Sequence, residues 1–302
     1  MLRELDNCLI CPRECGINRN KGQKGYCGYD SEYHIASIFL HRGEEPPISG
    51  AKGICNIFFN GCNLRCVYCQ NFQISRKGSV NKPETLQSVT GKVIECLQSG
   101  AEAVGFVSPS HFVPHVKAII NAVHQRGFHP ITVYNTNAYD KVEIIRDLEG
   151  LIDVYLPDFK YMDNISAGTY SGAADYSDFA KKAIKEMHRQ KGNTVVLNEN
   201  GQAITGIIVR HLVLPGHSKD SIRILEWIAS ELSPSVHISL MSQYYPTVCV
   251  SGDPVLDRHI THEEYNEVLI AMDQLGFYRG WIQEYESHSY YRPDFDKIRP
   301  FE

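Results

Sequence analysis

The chain reads as an α/β protein, an open (β/α)6 partial barrel over residues 51–302 behind a cysteine-rich extension at residues 1–50. Three observations predict this. Short apolar runs alternate with amphipathic helical stripes from residue 54 onward, the pattern of βαβ units around a parallel sheet. Six main runs of this kind follow residue 53, fewer than the eight strands of a closed barrel. The first 50 residues instead carry four cysteines and little periodicity.

The elements follow in order. Residues 54–59 form an apolar strand, and Asn60-Gly61 is a turn. Leu86, Val89, Val93 and Leu97 recur at helical spacing, and Gly100 stops that helix. Residues 103–107 form a strand, Val113 to Val123 supply the next helical stripe, and residues 131–134 are a strand. Val142, Ile145 and Leu148 mark a helix before the strand at 152–156, and Phe179, Ile184 and Met187 sit on another. Asn200-Gly201 is a hairpin turn. Strands at 207–214 and 236–241 enclose a helix at 218–232, and residues 261–275 form the last clear helix. The aromatic tail Tyr290-Tyr291-Arg292-Pro293-Asp294-Phe295 is expected to pack on the body or the barrel mouth.

Length and composition bound the function. At 302 residues, 43% hydrophobic and 22% charged, the chain has room for one barrel with an extension. Net charge is −5, from 30 basic and 35 acidic residues, so there is no electrostatic footprint for nucleic acid or an anionic membrane. No apolar run approaches a membrane span, and residues 1–6 lack the apolar centre of a signal peptide. Ten cysteines, seven of them clustered at metal-ligand spacing, with no export signal, fit a reducing cytoplasmic compartment.

Cys62, Cys66 and Cys69 stand on the loop that leaves the first barrel strand, at Cys-x3-Cys-x2-Cys spacing. Three thiolates so placed hold three corners of a four-iron cluster and leave one iron open. The competing reading is a zinc knuckle completed by Cys55 or a distant cysteine. Cys8, Cys11, Cys15 and Cys27 are a second four-thiol set, whose all-sulfur chemistry means zinc or iron–sulfur, or simply reduced thiols without metal. Cys55, Cys96 and Cys249 read as small buried hydrophobes.

Further polar motifs fall at strand ends, where barrel enzymes place their chemistry. Ser108 and Ser110 offer hydroxyls at the end of their strand or simply cap a turn. Asp158 and Lys160 share one face of their strand and serve a ligand or pair as ordinary ions. Arg210 presents a planar fork suited to a carboxylate. Its neighbour His211 faces the other way and reads as structural, and His115, His124 and His188 read as surface residues on helices.

The cysteine spacing resembles the signature of radical S-adenosylmethionine (SAM) enzymes. Over residues 8–295 the chain resembles the branch similar to pyruvate formate-lyase activating enzyme. The likeness rests on Cys62 through Ser75, Ser108-Pro109-Ser110-His111, Tyr134-Asn135-Thr136-Asn137, Leu156-Pro157-Asp158-Phe159-Lys160, the Arg210 to Gly216 stretch, and the Leu240 to Pro246 stretch. The resemblance implies a partial TIM barrel of the radical SAM type, a [4Fe–4S] cluster on Cys62, Cys66 and Cys69, and SAM on the open iron. Reductive cleavage then gives a 5′-deoxyadenosyl radical that abstracts hydrogen from a substrate. It implies that Tyr68 packs on the adenine, that Ser108 and Ser110 meet the SAM amino group, and that Asn135 and Thr136 approach its methionine or ribose. It also implies that Asp158 and Lys160 serve a ribose hydroxyl, small cation or carboxylate, and that Arg210, Gln243 and Tyr244 meet substrate or the SAM carboxylate. The chain departs from the family where Gly-Gly-Glu-Pro is usual, at Ser108-Pro109-Ser110-His111, and where activating enzymes often carry Asp, at Asn135. The implied partners are a reductant such as flavodoxin or ferredoxin and a protein, peptide or small-molecule substrate. A glycyl-radical enzyme, or a peptide or small molecule modified by radical chemistry, is the expected target. The reading from another class is a non-catalytic iron–sulfur electron carrier.

Overall fold

The structure, a computed structural model, describes residues 2–76, 82–289, 292–297 and 300–301. Nine strands form its sheet: β1 (Ile35–His41), β2 (Ile54–Phe59), β3 (Ala103–Val107), β4 (Ile131–Thr136), β5 (Val154–Pro157), β6 (Val196–Leu197), β7 (Ala203–Leu212), β8 (His237–Met241) and β9 (Gly280–Ile282). The order is β1-β2-β3-β4-β5-β7-β8-β9, with β6 paired only to β7. Strands β2 to β5, β7, β8 and β9 run parallel, whereas β1 and β6 pair antiparallel. This is an open α/β partial barrel. Its six main parallel strands are those expected, and β1 and β9 extend the sheet at either edge. The run Ile35–His41 sits among turn-rich cysteine segments that hide its strand pattern, and three-residue β9 is too short to show a period.

Alternation along each strand separates two apolar layers. Cys55, Ile57, Tyr134, Tyr155 and Val209 face outward into the main core under the helices. Ile54, Val133, Val154, Leu156 and Ile208 face inward and fill the lower lumen. One or two residues further along the same inner rows the side chains turn polar: Asn56, Asn135, Asp158 and Arg210. The barrel is therefore plugged by hydrocarbon below and polar at the C-terminal rim. Two of its long helices begin on side-chain caps; Leu86–Gln98 starts where the Thr85 hydroxyl accepts from the Ser88 amide, and His262–Gln274 starts in a reciprocal capping box between Thr261 and Glu264. No helix among the described residues is long and apolar enough to cross a membrane.

Some local expectations change. The hairpin at Asn200-Gly201 forms, joining β6 to β7. His115 is fully buried rather than on the surface, because the first turn of helix Val113–Gln125 packs under the N-terminal segment, where its Nε2 meets the Ser31 carbonyl at 2.8 Å. Cys249 is exposed rather than buried, and Cys96 is half-buried beside buried Cys55. Of the aromatic tail, Tyr290 and Tyr291 lie outside the described residues; Phe295 packs on Phe58 of β2, and Phe301 packs on Phe39 and His41 of β1.

Candidate active site at the barrel mouth

Gly61 turns the chain out of β2 with a φ of 78°. A Cβ there would lie 2.6 Å from the Cys27 carbonyl and the Tyr29 ring, so the loop lies directly against the N-terminal segment. Cys62, Cys66 and Cys69 follow, and all three line a cavity of about 280 Å³ at the C-terminal end of the strands. Each sulfur meets a polar group. The Asn137 amide and the Leu64 N–H donate to Cys62 Sγ, each at 3.3 Å; the Ser171 hydroxyl donates to Cys66 Sγ at 3.0 Å; Ser75 Oγ lies 3.2 Å from Cys69 Sγ. Without metal, burial and the neighbouring thiols push Cys62 up to about 12. Such a site favours a ligand that stabilises thiolates.

A fourth thiol does not reach this cavity. Cys55, the nearest candidate in sequence, is buried on the outer face of β2 beside Cys96. The three sulfurs also do not converge within 4.8 Å of one another. A single zinc, with Zn–S near ~2.3 Å, draws tetrahedral thiolates to about 3.8 Å apart. Three spread, donor-supported thiols with no fourth fit a four-iron cluster with one open iron.

The facing wall is charged. Arg210 of β7 lies 3.2 Å from Asp158, which follows β5, and 3.0 Å from Glu44, with Glu45 at 3.8 Å. Lys160 Nζ donates to Asp158 at 2.8 Å. Burial opposes the charge on Asp158, yet Lys160 and Arg210 outweigh it and hold the carboxyl below its usual range. Lys160 is likewise held charged, because Asp158 and the thiols of Cys66 and Cys69 overcome its burial. Glu45 moves the other way: burial raises it, Arg210 opposes and Glu44 adds, and its Oε2 has no hydrogen-bond partner. Three carboxylates thus face two cations in one lumen.

Tyr68, Ser108, Asn135, Asp158, Lys160, Arg210 and Gln243 all line this cavity with the three cysteines. Ser108 holds a left-handed φ of 50°, uncommon outside glycine. At the rim the Gln283 side-chain amide donates to Gln243, and that of Gln243 donates to Gln70. Ser110 and Thr136 are not brought to the cavity. Their hydroxyls bond each other at 3.1 Å, and Thr136 donates to fully buried Asp140. Tyr244 is also turned away, its hydroxyl donating to the Leu256 carbonyl, although its ring flanks Tyr68. His211 takes the structural place expected of it, between the Phe159 carbonyl and the Ser221 hydroxyl.

Glu44 and Glu45 are absent from the residues picked out by sequence. The antiparallel return of β1 delivers them to the lumen, where Asn56 donates to Glu44 at 2.9 Å. The available signal is two adjacent acids followed by Pro46-Pro47 directly after an apolar run.

The comparisons with known proteins bear on the fold and the family. The family model described as Radical SAM superfamily matches residues 56–228. An uncharacterised protein of Methanocaldococcus jannaschii is 29% identical over 272 residues, covering 87% of this chain and 73% of that protein. Streptococcus suis SuiB bound to S-adenosylmethionine shares the fold with a TM-score of 0.51 at 11% identity, covering 76% of this chain. Native anSMEcpe with bound AdoMet gives 0.51 at 12% identity over 79% of this chain. The chain spans 50% of SuiB and 62% of anSMEcpe. With the family match covering more than half of the sequence, the chain belongs to the radical SAM superfamily.

Proposed function

We propose that this chain cleaves SAM reductively and removes a hydrogen atom from a substrate held at the barrel mouth. The observation that carries this is the meeting of three thiols, with no fourth, and six strand-end polar residues, Ser108, Asn135, Asp158, Lys160, Arg210 and Gln243, on one cavity. When bound, the cluster and SAM supply the electron and the 5′-deoxyadenosyl radical of the reaction. Cys62, Cys66 and Cys69 would hold three irons, with Asn137, Ser171 and Ser75 steadying the sulfurs. Tyr68 offers an aromatic face, and Ser108 and Asn135 offer polar groups to the SAM side of the cavity. Arg210 and Lys160 offer cations to a carboxylate. Glu44 and Glu45 supply carboxylates that the Ser108 to His111 loop lacks, suited to an ammonium group from SAM or substrate.

The substrate reading is a peptide or protein segment entering the open rim; a backbone glycine of a glycyl-radical enzyme is one form of it. SuiB, which shares this fold, has been solved with its precursor peptide SuiA. A flavodoxin or ferredoxin is the proposed reductant. The test is anaerobic incubation with dithionite and SAM. Wild type should release 5′-deoxyadenosine and Cys66→Ala essentially none; equal yields would end the proposal.

A further inference from the structure

We infer that Cys8, Cys11, Cys15 and Cys27 hold a second iron–sulfur cluster, a fully ligated [4Fe–4S] group lying against the loop of the first. Several observations converge on it. All four are free thiols; Cys8 and Cys11 are buried, and Cys15 and Cys27 half-buried. Two backbone bonds fold the segment on itself, from the Cys8 N–H to the Ile17 carbonyl at 2.9 Å and from the Gly16 N–H to the Cys8 carbonyl at 3.1 Å. Two tight turns close it further, from the Glu14 N–H to the Cys11 carbonyl and from the Gly28 N–H to the Gly25 carbonyl, each at 3.0 Å.

Polar bonds tie the module to the barrel, among them Arg13 to the Gly172 carbonyl and Arg19 to the His111 carbonyl, but it has little apolar core of its own. Its apolar cluster consists of Leu5, Cys8 and Ile10, with Leu2 and Ile17 packed on it. So few apolar side chains make a small core, and metal is the usual substitute where a core is small. Groups that serve a sulfur-bound centre surround the thiols. The Tyr26 N–H donates to Cys15 Sγ at 3.4 Å. Arg19 is 1% exposed, with its guanidinium 4.0 Å from Cys8 Sγ, where its positive charge opposes that of a thiolate site. Gly25 backs Cys15 so closely that a Cβ would sit 2.8 Å from its sulfur.

The thiols are not drawn together as a single zinc would draw them, which favours iron–sulfur. Among the described residues, the one group of three or more ligating side chains within 4.8 Å is Asp30, Glu32 and His34. No three thiols of the quartet converge so far, whereas zinc draws thiolates to about 3.8 Å apart. The quartet shares this spread with Cys62, Cys66 and Cys69. With four thiolates it leaves no iron open, so it is a closed centre beside an open one. The two regions touch: Arg13 Nε donates to the Asn63 carbonyl at 2.8 Å, Arg65 donates to the Tyr26 carbonyl at 3.1 Å, and the Cys27 carbonyl abuts Gly61.

The test is metal content of the full chain purified without oxygen, as wild type and as Cys62→Ala/Cys66→Ala/Cys69→Ala. The triple variant should retain about four irons and about four sulfides per chain, with an electron paramagnetic resonance signal on reduction. One zinc without sulfide, or no metal at all, overturns the inference. Should that variant be insoluble, the wild type decides: about eight irons supports the site, and about four refutes it. Because metal is counted without SAM, this result stands apart from the cleavage assay.

Discussion

The two cysteine regions make opposite use of similar chemistry. The loop after β2 spreads three thiols over the mouth of a cavity, on a rigid strand end, with a charged wall opposite. The N-terminal module folds four thiols into a nearly coreless segment, and none of them lines the cavity. One set is positioned by the barrel, whereas the other must help build its own surroundings. Ligand number thus distinguishes a reactive centre from a closed one, and the scaffold behind it determines how much of the chain depends on the metal.

The largest expected difference is in turnover. Cys66→Ala should lower 5′-deoxyadenosine formation by more than about 100-fold, and Cys15→Ala by less, since Cys66 would hold the open cluster and Cys15 the closed one. Equal losses would erase the distinction between the two regions. Arg210 and Arg19 sharpen it next. Arg210→Met leaves Glu44 and Glu45 without their cation and Asp158 with Lys160 alone, at a cost of about 3–5 kcal/mol, and should lower the melting temperature by roughly 5–8 °C. Arg19→Met should cost about 1–3 kcal/mol, because Arg19 donates to the carbonyls of Asp30 and His111 rather than to carboxylates. Thermal melts check both, and a larger loss for Arg19→Met would reverse the ranking.

The seam between the regions should respond to pH. Burial depresses His111 and His115 to about 3, below the ordinary value of about 6.5. Their neutral rings belong to the folded state. Their contribution is therefore complete above about pH 6.5 and fades as pH falls toward 3, at up to about 1.4 kcal/mol per pH unit for each ring. His111→Gln should flatten the melting profile between pH 7 and 5; a parallel profile would contradict it. The smallest effect concerns one hydrogen bond. Ser171→Ala removes a donor to Cys66 Sγ, which a reduced, more negative cluster would need most. A bond of about 1 kcal/mol corresponds to about 40 mV, so the reduction potential should fall by that order in a redox titration.

The repeating units were legible because each strand and helix carries its own period. Cys62, Cys66 and Cys69 were legible because their spacing is local. Glu44 and Glu45 were not, since only the antiparallel pairing of β1 with β2 carries them into the lumen, and that pairing has no local signature. Ser110 and Thr136 read as mouth residues because strand position alone does not reveal that Asp140, buried behind them, draws both hydroxyls inward. His115 carries the same lesson on a helix: which side chains are covered depends on a segment more than 80 residues away in sequence.

Ser108 has a consequence for anyone improving this protein by selection. Its left-handed backbone costs about 1 kcal/mol that glycine would not incur. A screen rewarding heat resistance alone would drift to glycine there and would remove a hydroxyl from the mouth in doing so. Libraries scored on robustness and on product formation should therefore diverge first at this codon.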